Sequence, residues 1–127
     1  MEKQCVMVCV TGQKMCERLI LEGSSLAKEL DAEVTVIHEA QEGVDLLGGS
    51  LKEAEALEYL FKMASEYGAG MMVVRSNEIV PTLVSHARKL NAATIVLGSP
   101  RRMRRDITKE IKAELPEMNF KIIYTEE

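Results

Sequence analysis

The chain has 127 residues, with 16 Lys and Arg against 20 Asp and Glu and a formal charge of −4 at pH 7. That length supports one domain, residues 1–127, around one core, and 46% hydrophobic residues at modest net charge exclude a disordered chain. No apolar run approaches the roughly 20 residues that span a bilayer. No charged-then-apolar leader opens the sequence, and the acidic balance gives no reason to expect nucleic acid, so a soluble, cytoplasmic protein without membrane contact is expected.

Apolar runs and amphipathic stretches alternate along the chain. Gln4 to Val10 (QCVMVCV) reads as a strand ended by Thr11-Gly12. Met15, Leu19, Leu26 and Leu30 recur at helical spacing, with Cys16 and Ala27 beside them, and predict a helix ending near Asp31. Glu33 to His38 (EVTVIH) is a second strand, and the glycines at 43, 48 and 49 mark a flexible connection. Ser50 and Glu53 have capping-box spacing, opening a helix with Leu57, Phe61 and Ala64 on one face and a stop at Tyr67-Gly68.

Met71 to Val74 is a short, uniformly apolar third strand. Ser76 or Asn77 is expected to cap the next helix, which turns Leu83, Ala87 and Leu90 inward and carries Pro81 in its first turn, where a missing N–H costs least. Ala93 to Leu97 (ATIVL) is a fourth strand, followed by Gly98-Ser99-Pro100. Ile107, Ile111 and Leu115 mark a last helix stopped at Pro116, and Phe120 to Tyr124 closes the chain as a fifth strand.

Near-continuous apolar strands separated by amphipathic helices imply a parallel sheet covered on both faces. The expected fold class is therefore α/β: one doubly wound, Rossmann-like five-stranded parallel sheet in the order 3-2-1-4-5. Cys5 and Cys9 lie on one side of the first strand with Cα atoms roughly 13 Å apart, too far for a disulfide. The three cysteines, with Cys16, read as reduced and mostly buried thiols. His38 and His86 offer no metal-ligand spacing with them, and no metal is expected.

In such a sheet a ligand sits beyond the carboxyl ends of the strands, at the switch point between the first and fourth. Two segments meet there, Thr11-Gly12-Gln13-Lys14 and Gly98-Ser99-Pro100-Arg101-Arg102. Each carries a glycine that admits close approach and leads into a helix whose first N–H groups favour an anion. Arg101, Arg102, Arg104 and Arg105 form the densest basic cluster. Setting them aside takes the formal charge from −4 to about −8. Arginine forks bind phosphate oxygens bidentately, whereas positive charge alone at a helix N-terminus is unfavourable. A phosphate-bearing ligand and a solvated helix start are the two leading readings, with nucleic acid third given the acidic remainder of the chain.

The segments Cys5 to Gly12 (CVMVCVTG), Glu17 to Ile20 (ERLI), Leu26 to Ile37 (LAKELDAEVTVI) and Ala93 to Arg102 (ATIVLGSPRR) resemble the universal stress protein family. The similarity is greatest to the stress-protein-like domain of Kdp-type potassium-sensor kinases. The resemblance covers nearly the whole chain. It implies the same five-stranded fold and often a homodimer paired through the last strand, here residues 120–124, against a plain edge strand guarded by Lys121. It also implies ATP or another nucleotide as ligand, with Val36 and Leu97 lining an adenine pocket. The family's ATP-binding members carry Gly, two residues, Gly, nine residues, then Gly-Ser or Gly-Thr. Gly98 matches the first position, Arg101 stands at the second, and Ile111-Lys112 stand in place of the last pair. Thr11-Gly12 replace an acidic residue usual after the first strand, and the serine and aromatic signature of cyclic di-AMP-binding sensor domains is not recognisable.

The leading expectation is a non-catalytic, stress-response-type regulatory module that binds a nucleotide or another phosphorylated small molecule. Thr11, Gly12, Gly98, Ser99 and Arg101 would supply contacts and Arg102 a second clamp. A nucleotide hydrolase or nucleotidyl-transfer enzyme on the same scaffold would need a base to activate Thr11 or Ser99. Asp106 is more simply an ion-pair partner of the arginines. A ligand-free dimeric interaction protein is the third reading. His38, ending its strand, reads as a satisfied structural histidine, and His86 as a residue of a solvated helix face.

Overall fold

The first strand, β1 (Cys5–Val10), is apolar at every position, which suits a strand covered on both faces. The computed structural model places it at the centre of a five-stranded sheet in the order β3-β2-β1-β4-β5, with every neighbouring pair parallel. Residues 4–10, 16–40, 50–100 and 107–125 are described. The remaining elements are α1 (Cys16–Leu30), β2 (Glu33–Ala40), α2 (Ser50–Glu66), β3 (Gly70–Arg75), α3 (Ile79–Lys89), β4 (Ala92–Pro100), α4 (Ile107–Glu114) and β5 (Asn119–Thr125). Strict alternation of strand and helix, and the expected strand order, are both present.

Two apolar layers sandwich the sheet. Val6, Val8 and Val10 of β1 pack with Val34, Val36 and Val96 under α1 (Leu19, Ile20, Ala27) and α2 (Leu60, Met63, Ala64). Met7 and Cys9 alternate to the other face, with Ile37, Ile95 and Leu97 against α3 (Leu83, Val84, Ala87) and Ile111 of α4. The period of two along each strand assigns a residue to one layer or the other. At Gly23, buried on α1, a Cβ would overlap Val8 Cγ2, so only glycine lets this helix lie so close to the central strand.

Helix ends are closed by the backbone. After α1, Asp31 N–H reaches Lys28 O and Ala32 N–H reaches Ala27 O. After α2, Gly68 N–H reaches Ser65 O and Ala69 N–H reaches Ala64 O. Both are Schellman closures, with Asp31 (φ 52°) and Gly68 (φ 71°) in the left-handed conformation, as is Asn91 (φ 54°) after α3.

Three sequence expectations change in the structure. Phe61 is 61% exposed, and the buried stripe of α2 is Leu60, Met63 and Ala64 with Leu57 half-buried. This helix packs on α1 and on β3 at the sheet's margin, so its covered arc is narrow and Phe61 falls outside it. Leu30 is exposed because it is the last residue of α1, past the edge of the core. The N-cap position of α3 is Glu78, whose side chain makes no cap bond. Ser76 acts two residues upstream, its Oγ accepting the Glu78 N–H (2.9 Å) and the Thr82 hydroxyl (2.8 Å).

Candidate functional site

The pairing registers define a crevice at the carboxyl end of the sheet. β1 and β4 stay laddered as far as Cys9 opposite Leu97. Beyond that point β1 remains with β2 for one further pair, Val10 opposite His38. β4 instead continues with β5 through Gly98–Ile123, Ser99–Tyr124 and Pro100–Thr125. The two central strands therefore part above Cys9 and Leu97, each held by its outer neighbour. This is the switch point, where open parallel sheets admit ligands.

Of the residues expected at this site, Gly98 lies half-buried on the β4 wall, and Ser99 extends the strand beyond it. Thr11, Gly12, Arg101, Arg102 and Asp106 lie outside the described residues. Val36 and Leu97 are both buried, but in opposite layers: Val36 under α1 and α2, Leu97 against α3 and α4. Register explains the separation. Val36 pairs with Val8 and Val8 with Val96, so Leu97, one residue on, points to the other face. The structure does not bring these two side chains together on one face. The helices that follow the two walls, α1 and α4, already carry Glu17 and Glu110 in their first turns, each offsetting part of the helix dipole that would attract an anion.

The β1 wall contains a contact that the sequence alone does not reveal. His38 Nδ1 lies 3.0 Å from Val10 O, joining the last paired residues of β2 and β1. A carbonyl only accepts, so the ring proton is on Nδ1 and, in the neutral ring, Nε2 keeps its lone pair. The only sequence signal for this bond is a histidine at a strand's carboxyl end. His86 is half-buried on α3.

The two thiols of β1, Cys9 near the crevice and Cys5 at the strand's other end, are chemically quiet. Cys9 is fully enclosed, and burial pushes its thiol up to about 12. Burial also raises the Cys5 thiol, against the lowering effect of its hydrogen bond to Thr35 Oγ1 (3.7 Å) and with a small further rise from Glu33. Both are free and protonated at neutral pH, and so are poor nucleophiles or ligands. Among the described residues, no three His, Cys, Asp or Glu side chains are grouped to hold a metal ion, and no helix is long and apolar enough to cross a membrane. Two clefts open at the opposite end of the sheet. One, of about 550 Å³, lies between Gln4, Ala92, Pro116 and Asn119. The other, of about 390 Å³, lies between Lys28, Thr35, Tyr67 and Gly70.

Residues 4–109 match the profile of the Universal stress protein family. The chain belongs to this family. Over 99 residues, 78% of this chain, it is 34% identical to the sensor protein KdpD of Mycobacterium tuberculosis, and it spans 11% of that much longer protein. The fold of this universal stress protein family member is also that of solved structures of low identity. The universal stress protein from Archaeoglobus fulgidus in complex with dAMP superimposes with a TM-score of 0.64 at 19% identity, covering 98% of each chain. A universal stress protein in complex with cAMP gives 0.67 at 18% identity, also covering 98% of each.

Proposed function

We propose that this domain is a cytoplasmic, non-catalytic regulatory module that binds a nucleotide in the crevice between β1 and β4. The observation that carries this reading is the parting of the two central strands above Cys9 and Leu97, with Gly98 at the β4 lip. Two fold neighbours are solved with dAMP and with cAMP, which supports the ligand class. In this reading Gly98, Ser99, Thr11 and Gly12 approach the ligand through main-chain and hydroxyl groups, and Arg101 and Arg102 clamp phosphate oxygens. ATP belongs to the same class as a ligand of this chain. The free, buried Cys5 and Cys9 suit a reducing compartment.

The same reading pairs two copies through β5, an edge of the sheet. Lys121 on that strand is turned to Glu22 of α1 (Nζ–Oε2 3.0 Å), so its charge is engaged within the chain and does not guard the open edge.

Thermal unfolding with ATP, ADP, AMP, cyclic AMP, cyclic di-AMP and inorganic phosphate tests the reading, repeated on Arg101→Ala. A ligand that binds only the folded state at about 100 times its Kd adds about 2.7 kcal/mol. At least one nucleotide should raise the melting temperature in the parent chain and lose most of that effect in the variant. No rise with any nucleotide would overturn the reading. Light scattering on the same samples should give twice the chain mass, and a monomer would remove the β5 pairing.

A further inference from the structure

We propose that two copies of the chain join their β5 strands antiparallel about a two-fold axis at Ile122. In that register Glu22 of α1 neutralises the Lys121 that each copy carries into the joint. The inference rests on the β5 pairing proposed above, and adds the register and the ion pair that the register requires.

β5 has a neighbour on one side only, and its ladder with β4 runs without a register shift from Thr94–Asn119 to Pro100–Thr125. A regular, largely apolar edge of this length is a template for another strand. Its own alternation says which second strand fits. Lys121 pairs with Val96, which with Ile123 belongs to the layer under α1 and α2. Phe120 packs in the opposite layer, and the period of two places Ile122 and Tyr124 on that face as well. Directly opposite residues of an antiparallel pair share a face, and a two-fold axis normal to the sheet keeps like faces together. The axis must therefore pass through a residue. Only Ile122, the middle of Asn119–Thr125, lets every position of the strand find a partner.

Tyr124, 60% exposed in the single chain, then stands opposite the partner's Phe120, an aromatic pair formed twice. On the other face Lys121 stands opposite the partner's Ile123. Lys121 and the partner's Lys121 become diagonal neighbours about 7–8 Å apart, inside the roughly 10 Å over which charges act at 0.1 M salt. Unpaired, they would repel. Glu22 Oε2, 3.0 Å from Lys121 Nζ, cancels the charge within each copy. An axis at Lys121 instead would set the like charges directly opposite and leave the last two positions of each strand unpaired.

Cysteine cross-linking reads the register. In Ile122→Cys each new thiol meets its own counterpart with Cα atoms about 4.5–5.5 Å apart, within disulfide reach. Air oxidation should therefore give a covalent dimer that peptide mass spectrometry maps to position 122. Phe120→Cys should not link to itself, its two copies lying roughly 14 Å apart, but should link to Tyr124→Cys when the two chains are mixed. If Ile122→Cys does not fold, the mixed chains carry the comparison.

Sedimentation reads the ion pair. At about 50 mM salt, Glu22→Gln should self-associate about fivefold more weakly than the parent chain, and at about 500 mM the gap should close by screening. Glu22→Gln combined with Lys121→Gln should recover the parent's affinity at both salts. In a dimeric parent, a link at positions other than these would overturn the register. Equal self-association of Glu22→Gln at low salt, or a loss that persists at high salt, would overturn the role of Glu22. A parent chain that stays monomeric would overturn the β5 pairing itself, and this inference with it.

Discussion

β1 and β3 are both six-residue strands of nearly unbroken apolar sequence, CVMVCV and GMMVVR. Every residue of β1 is buried, whereas no residue of β3 is, Gly70 and Val73 being exposed and the other four half-buried. The difference is place, not composition. β1 has a strand on each side and a helical layer on each face, while β3 is an edge pairing only with β2. Equal hydrophobicity therefore buys unequal stability, and the largest test compares like residues. Met7 and Met72 both point into the α3 side of the sheet, the first fully buried and the second half-buried. Met7→Ala should cost about 2–5 kcal/mol in denaturant unfolding, and Met72→Ala less than half of that. Equal costs would break the comparison and mean that β3 is covered in solution by more than α2 and α3.

A glycine packed against β1 and one at the start of β3 sharpen the same contrast at a smaller scale. At Gly23 an added methyl overlaps Val8 on the central strand, while at Gly70, where β3 begins, it would find nothing nearer than Thr35 Oγ1 and Val34 O at 4.0 Å. Gly23→Ala should cost about 1–3 kcal/mol by overpacking. In a Val8→Ala background the penalty should shrink, because the clashing atom is gone. Gly70→Ala should be neutral or slightly stabilising, as alanine restricts the unfolded chain more than glycine does. A double-mutant cycle reads the coupling directly. Additive costs for positions 8 and 23 would mean that α1 lies farther from β1 than the structure has it.

The contrast also explains what could be read from sequence. Strand order and class were legible because β1 and the core of β4 are near-continuous apolar runs between amphipathic helices, a pattern that few folds besides a covered parallel sheet accommodate. The exposure of Phe61 was not legible, because periodicity locates a helical stripe but not the width of sheet beneath it. Of the site, the switch point between β1 and β4 was legible because it follows from strand order, while the loops after them lie outside the described residues. Which face Val36 and Leu97 share with a ligand depends on register, and register is set by β1 pairing with β2 and with β4, Val8 with Val36 and with Val96, partners 28 and 88 residues away in sequence. The His38–Val10 bond was hidden for the same reason, since 28 residues separate its partners and only the register brings them together.

The smallest effect at neutral pH comes from the centre of β1. Burial raises Cys9 from 9.0 to about 12, so the folded chain holds this proton where the unfolded chain releases it. The stability tied to the protonated thiol is complete below pH 9 and is lost as pH rises toward 12, by about 1.4 kcal/mol per pH unit for one proton. Cys9→Val, close in volume, should change stability by less than about 1.5 kcal/mol at pH 7 and should flatten the alkaline decline relative to the parent chain. Met72→Ala, on the strand without a buried thiol, should lower the whole curve and leave its alkaline slope unchanged. Denaturant titrations from pH 7 to 11 separate the two behaviours. If Cys9→Val kept the parent's slope, the thiol would already be reached by solvent in the folded chain. β1 would then be less sealed at its crevice end than at its start, and the parting of β1 from β4 would extend below Leu97.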